Sequence, residues 1–261
     1  MVISPRFVKM TTCQVFRFGV IEYQKAWHLQ NQLVAAIDAG DQPATLLLLE
    51  HSHVYTFGSR GQQEHLLWEQ ARLQEQQVDV HWVDRGGDVT YHGPGQLVGY
   101  PLIPLGQVSQ DPDSGKSRIP QADYVGYLRK LEAVLIRALA ELGIPAGQIS
   151  GQTGVWVQPD VASRCAHCPP ELKLAPSKIA SIGVKVDAHG ISRHGFALNV
   201  APDMSYWKGI IACGLENQNQ ISLEYLLDPT PGMERVIDKV VGAFGATFGF
   251  EMQINEGVLQ I

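Results

Sequence analysis

What the chain has little of narrows its chemistry at once. Four cysteines among 261 residues, at positions 13, 165, 168 and 213, are too few to scaffold a fold, so each is a thiol, a ligand or packing. No apolar run approaches the roughly 18 residues of a membrane-spanning helix, and the opening MVISPRFVKMTTC has no continuous apolar signal core; a cytoplasmic protein is expected. Basic residues number 20 against 26 acidic ones, and the net charge of -6 argues against wholesale nucleic-acid binding while leaving room for a local basic patch. There is no internal repeat and no heptad run, and the glycine-rich segment from Arg85 to Gln96 lacks the Gly-Lys-Ser/Thr ending of a phosphate loop. What remains is 45% hydrophobic, enough to bury a substantial core.

Periodicity places the elements. Tyr23, Ala26, Trp27, Leu33, Val34 and Ile37 recur at helical spacing over Glu22 to Ala39, and Gly40 is a natural C-cap. Thr45 to Leu49 is a short apolar run and reads as a buried strand, with a loop from His51 to Gly61 after it. A short helix is predicted over Glu64 to Gln74 and strands over Val78 to Val83 and Gln96 to Ile103. Leu128, Leu131, Val134, Leu135, Leu139 and Leu142 form one helical stripe that Gly143 ends. Strands over Thr153 to Val157, Lys178 to Val186 and Ile191 to Val200, a helix through Val236 to Phe244 and a short last strand complete the pattern. Two irregular segments, near 104–121 and 158–177, look like loop insertions. Helices and strands mix without strict alternation, which predicts a single α+β domain over residues 1–261 built on a mixed β-sheet flanked by helices.

Several segments are candidates for chemistry. Arg85-Gly86-Gly87-Asp88-Val89-Thr90-Tyr91-His92-Gly93-Pro94-Gly95-Gln96 contains four glycines, which suit either a tight hairpin or a ligand site built from close backbone approach. Lys178 opens the apolar stretch Ile179-Ala180-Ser181-Ile182-Gly183 and is either a solvated strand-end cation or a buried functional amine. On the following strand Arg193, Gly195, Ala197 and Asn199 share one face and His194, Phe196, Leu198 and Val200 the other. A glycine and alanine face leaves space for a thin alkyl chain, or for a neighbouring helix. Cys213, beside Gly214, is either buried filler or a reactive thiol; reactivity requires a cationic neighbour, and Lys178 is the candidate. Cys165-Ala166-His167-Cys168 has zinc-knuckle spacing without a second ligand pair, so it is read as peripheral: a metal or redox pair, or unengaged thiols. His51, His53 and His92 are too scattered to define a metal site.

Taken together, Arg85 to Pro101, Lys178 to Gly183, His194 to Val200 and Cys213-Gly214 closely resemble the lipoyl(octanoyl) transferase (LipB) family, with Tyr23-Gln24-Lys25-Ala26-Trp27 and Gly154-Val155-Trp156-Val157 adding to the likeness. The resemblance runs from about Phe16 to Phe250. It implies a biotin/lipoate ligase-like, class II synthetase-like fold, and transfer of an octanoyl group from octanoyl acyl carrier protein to a lysine of a lipoyl domain. It implies Cys213 as the nucleophile that carries the acyl thioester and Lys178 as its acid/base partner. Arg85, Gly86, Gly87, Asp88, Val89, Thr90, Tyr91, His92, Ser181, Ile182, Gly183, Gly195, Phe196 and Ala197 are the implied substrate contacts. The implied acceptors are lipoyl domains of 2-oxoacid dehydrogenase E2 subunits and glycine cleavage H protein. No cofactor, metal, nucleic acid or membrane is expected, and the protein is expected to be a monomer. The rival from the same fold is an ATP-dependent lipoate or biotin ligase; against it stands the lack of a glycine/arginine-rich adenylate loop. Both macromolecular partners are acidic as classes, so a basic rim of Arg60, Arg85, Lys185, Arg193 and Lys208 is expected to offset the global charge.

Overall fold

A computed structural model describes residues 11–106, 109–110, 117–118, 123–165, 167–212 and 218–255. In chain order the elements are β1 (Thr11–Ile21), α1 (Tyr23–Ala39), β2 (Ala44–His51), β3 (Val54–Phe57), α2 (Gln70–Glu75), β4 (Asp79–Trp82), β5 (Val89–His92), β6 (Gln96–Leu102), β7 (Ser109–Gln110) and β8 (Ser117–Arg118). They continue with α3 (Tyr124–Glu141), β9 (Gly147–Ile149), β10 (Gln152–Val157), α4 (Pro159–Ala162), β11 (Ser177–Val186), β12 (Ser192–Asn199), α5 (Leu223–Leu226), α6 (Met233–Phe248) and β13 (Phe250–Asn255). Eight strands form one sheet in the order β13-β1-β2-β6-β12-β11-β10-β9, and β4-β3-β5 form a smaller one. The large sheet is mixed: β1 runs parallel to β13 and β2, and β6, β12 and β11 are joined antiparallel.

The leucine run of β2 shows how the core is divided. Leu46 and Leu48 point to the face covered by α3 and α6, and Leu47 and Leu49 to the face covered by α1. All four are at most 1% exposed. Burying such a side chain stabilises by about 1.5–3 kcal/mol, so helices on both faces explain why this strand is continuously apolar rather than alternating. The predicted stripes hold. Gly40 caps α1 with φ 81°, and its N–H donates to Ala36 O and Ile37 O. Gly143, at φ 88°, follows the end of α3.

Three expectations are corrected. The predicted helix over Glu64 to Gln74 is split into a 3-10 turn at Gln63–His65 and α2, because Leu67 N–H donates to Gly209 O at 2.8 Å and Leu66 bridges Ile210, drawing the intervening chain into extended pairing. The expected loop from His51 to Gly61 contains β3, pinned between β4 and β5. The segment 158–177 is not peripheral: Cys165 and Cys168 are bonded to each other, and with Leu172 they are buried in the α3/α6 core. β1 has no clear signal in the sequence, since Gln14, Arg17 and Gly19 interrupt its apolar pattern.

Candidate active site

Where β6, β12 and β11 lie side by side, Val98 pairs with Ala197, Ala197 with Ser181, and Gly195 with Gly183. Small side chains at these positions leave the sheet surface open beneath a cavity of about 740 Å³. Glycine is required at two of them. A Cβ on Gly195 would lie 2.1 Å from Gly99 O, and one on Gly183 would lie 3.0 Å from Gly86 O. The second clash shows how closely the Arg85-Gly86-Gly87 turn approaches β11, where Gly86 N–H donates to Val184 O at 2.9 Å. Phe196 also lines the cavity, but its ring packs toward the α3/α6 core over Gly99, as alternation demands.

Thirteen of the fourteen implied substrate contacts line this cavity; Tyr91 does not. With Thr90 and His92 turned to the cavity, the two-residue period of β5 sends Tyr91 the other way, where it joins Tyr55 and Tyr206 and its hydroxyl meets His53 Nδ1 at 3.0 Å. Arg85 is buried rather than part of a rim: its guanidinium donates to Thr56 Oγ1 at 2.9 Å and to Gly86 O at 3.0 Å, bracing the glycine turn. Arg193 is engaged with Asp84 and with Asn31 Oδ1 at 2.8 Å. Of the expected rim, Arg60, Lys185 and Lys208 remain exposed, and of these Arg60 lines the cavity.

Lys178 is only 3% exposed, which excludes the solvated strand-end reading. Its backbone is clamped by Asn219 and Ile221: Lys178 N–H donates to Asn219 O at 2.9 Å, and Ile221 N–H donates to Lys178 O at 3.0 Å. Its Nζ lies 4.7 Å from the centroid of the Trp156 ring. Cys213 lies outside the described residues. The chain leading to it is fixed by Ile211 N–H donating to His65 O at 2.8 Å, and Gln218 beyond it lines the same cavity as Lys178.

The other end of the cavity is a cluster of rings around Tyr23 that sequence spacing does not reveal. His51 and His92 stand 5.7 Å apart, ring to ring, and Tyr23 packs against both. Burial holds His51 down to about 4. Its Nδ1–H donates to Ile21 O at 2.9 Å, and its Nε2 accepts from the Tyr100 hydroxyl at 2.7 Å. Burial also holds His92 well below the ordinary histidine range. Its Nδ1 meets Gln96 Oε1 at 2.8 Å, Gln96 Nε2 donates to Asn199 Oδ1 at 2.8 Å, and Asn199 Nδ2 donates to Ile221 O at 3.0 Å. His194 occupies the left-handed region at φ 55°. Its Nε2–H donates to Asp84 Oδ1 at 2.8 Å, a bond that is the main reason Asp84 is held down to about 2. Burial lowers His194 despite that carboxylate. A further pair, His65 with Asp88, lines the wall. Among the described residues, no three His, Cys, Asp or Glu side chains gather as a metal site.

The family comparison gives the class of domain: residues 22–245 match the lipoyl protein ligase A/B catalytic domain. The chain belongs to that family and, within it, to the octanoyltransferases. The octanoyltransferase of Cytophaga hutchinsonii is 37% identical over 90% of this chain and 92% of its own length, and that of Rubrobacter xylanophilus 39% identical over 88% and 91%. Among solved structures, a bipartite lipoate protein ligase of Thermoplasma acidophilum superposes with a TM-score of 0.65 at 12% identity, covering 95% of this chain and 88% of that one. A lipoate-protein ligase A bound with ATP gives 0.62 at 13%, covering 96% and 90%. At such identities these two establish the shared fold alone.

Proposed function

We propose that the protein carries an octanoyl group from octanoyl acyl carrier protein to a lysine of a lipoyl domain, by way of a thioester on Cys213. The observation that carries this reading is Lys178: a buried amine on the wall of a cavity floored by Ser181, Gly183, Gly195 and Ala197. In the first half-reaction the Cys213 thiolate attacks the donor's carbonyl carbon, and the carrier thiolate departs with a proton from the Lys178 ammonium. In the second, the acceptor amine attacks the Cys213 thioester, neutral Lys178 takes the amine's proton, and the Cys213 thiolate leaves. Backbone amides along Ser181 to Gly183 are the candidates to hold the carbonyl oxygen; β10 leaves the edge of β11 after Ala180. A thioester is already activated, so no nucleotide is consumed. The acceptors proposed are the lipoyl domains of 2-oxoacid dehydrogenase E2 subunits and glycine cleavage H protein.

Intact-mass spectrometry after mixing the protein with octanoyl acyl carrier protein tests the proposal. An octanoyl adduct without ATP, lost in Cys213→Ala and discharged by an apo lipoyl domain, is the expected result. Modification of the lipoyl domain only from free octanoate and ATP would replace this reading with that of a ligase.

A further inference from the structure

The ring beneath Lys178 has no part in the reaction as written, yet its placement is specific. β10 and β11 pair Trp156 with Lys178 across the strands, after a register shift between Val155 and Trp156. Trp156 is 3% exposed, and its indole Nε1 is buried without a hydrogen-bond partner among the described residues, so packing there fixes the ring. Two residues earlier, Gly154 sits at φ 123°; a Cβ there would lie 3.2 Å from Lys178 Cε and 2.7 Å from Ala180 O. Gly154 N–H donates to Oε1 of the fully buried Glu132 at 3.0 Å. Thus Glu132 holds the strand, Gly154 lets the lysine stem pass, and the ring meets the amine.

Resting on the assignment of Lys178 as the proton carrier, we infer that Trp156 is a positioning residue that seats the Lys178 amine over its ring. An aromatic face attracts an ammonium through its quadrupole and gives a neutral amine no such attraction, the more so where water is excluded. The charged groups on α3 beside this strand are Glu132 and Arg129, which bond each other at 2.6 Å. The 218–220 segment against Lys178 offers only the amides Gln218, Asn219 and Gln220, and β12 offers Asn199. Removing the ring unseats the amine, and kcat for octanoyl transfer falls by about 10-fold while KM for the donor stays nearly constant.

The test compares Trp156→Leu, Trp156→Tyr and the native enzyme. Steady-state kcat and KM for octanoyl transfer are measured, with circular dichroism to establish folding. A kcat lowered at nearly constant KM in Trp156→Leu and restored in Trp156→Tyr supports the inference; an unchanged kcat in the leucine variant overturns it. A second readout is independent of acyl transfer. In protein reductively methylated with 13C-formaldehyde, the Lys178 methyl resonance, identified by its absence in Lys178→Arg, is shifted upfield by the ring, and that shift disappears in Trp156→Leu. An unchanged resonance overturns the contact itself. Loss of the upfield shift in a protein that never forms an octanoyl adduct upholds the contact and defeats the acyl-transfer reading instead. If the leucine variant does not fold, Trp156→Met, apolar, unbranched and without a ring, takes its place in both measurements.

Discussion

The two ends of the cavity handle buried polarity in opposite ways. At one end a single amine sits against an aromatic ring with its backbone clamped by a neighbouring segment. At the other, burial lowers His51, His92 and His194, which hydrogen bonds tie to Tyr100, Gln96 and Asp84. The first arrangement suits a group that gains and loses a proton during a reaction; the second suits a wall that must not change charge. The comparison predicts that substitutions at the lysine end remove chemistry, whereas those at the histidine end alter stability and its pH dependence.

The largest effect is expected at Lys178. Lys178→Met preserves the length of the stem and removes the proposed proton carrier, and octanoyl transfer to a lipoyl domain should fall by about 1,000-fold with little change in melting temperature. A variant that keeps a tenth of native activity would break the comparison at its stronger end. The next effect belongs to His51. The unfolded chain takes up the His51 proton near pH 6.5 and the folded chain near 4, so between those values the unfolded state binds more protons and stability falls as the pH drops. The loss amounts to at most about 3 kcal/mol, read from denaturant midpoints across that window. His51→Gln, which still offers Tyr100 an acceptor, should flatten that slope and leave transfer at neutral pH largely intact.

Between the two ends lies the floor, and Ser181 sharpens the comparison there. Ser181→Leu puts a branched side chain into the space above the sheet, and octanoyl transfer should fall by roughly 10- to 100-fold while transfer of a butyryl group is less affected. Equal losses for both chains would show that the floor does not hold the acyl group.

How much of this could be read from the sequence follows the range of each signal. The glycine and alanine floor was legible because β12 keeps its two-residue period from Gly195 to Asn199, although His194 at φ 55° breaks it and turns to the same Asp84 as Arg193, and α1 and α3 were legible because an apolar stripe and a terminal glycine are local features. The motifs Arg85 to His92, Ser181 to Gly183 and Gly195 to Ala197 marked the cavity wall, except that alternation within β5 turns Tyr91 away from it. Contacts set by cross-strand register were hidden: the seat of Lys178 on Trp156 depends on an irregularity in β10, and His194 meets Asp84 across 110 residues. β3 was hidden because four residues are too few for a period, and a tertiary pairing with 209–210 broke the helical pattern over Glu64 to Gln74. The burial of Cys165 and Cys168 depends on α5 and the distant core, which their spacing does not encode.

The smallest predicted effect lies on the route that joins the two ends. From His92 the bonds run through Gln96 and Asn199 to the carbonyl of Ile221, whose own N–H holds Lys178 O. Asn199 is 2% exposed, so removing its side chain strands the Gln96 amide and the Ile221 carbonyl in a dry interior, at a cost of about 1–3 kcal/mol. If that chain of amides only stabilises, Asn199→Ala lowers the melting temperature and leaves kcat unchanged at temperatures where the protein is folded. The clamp on the Lys178 backbone leads to a different expectation: kcat falls by about 10-fold with KM for the donor nearly constant, because a proton carrier displaced by a fraction of an ångström loses geometry before it loses affinity. Steady-state kinetics well below the melting transition separate the two, and an unchanged kcat would make the histidine end a scaffold with no hold on the lysine.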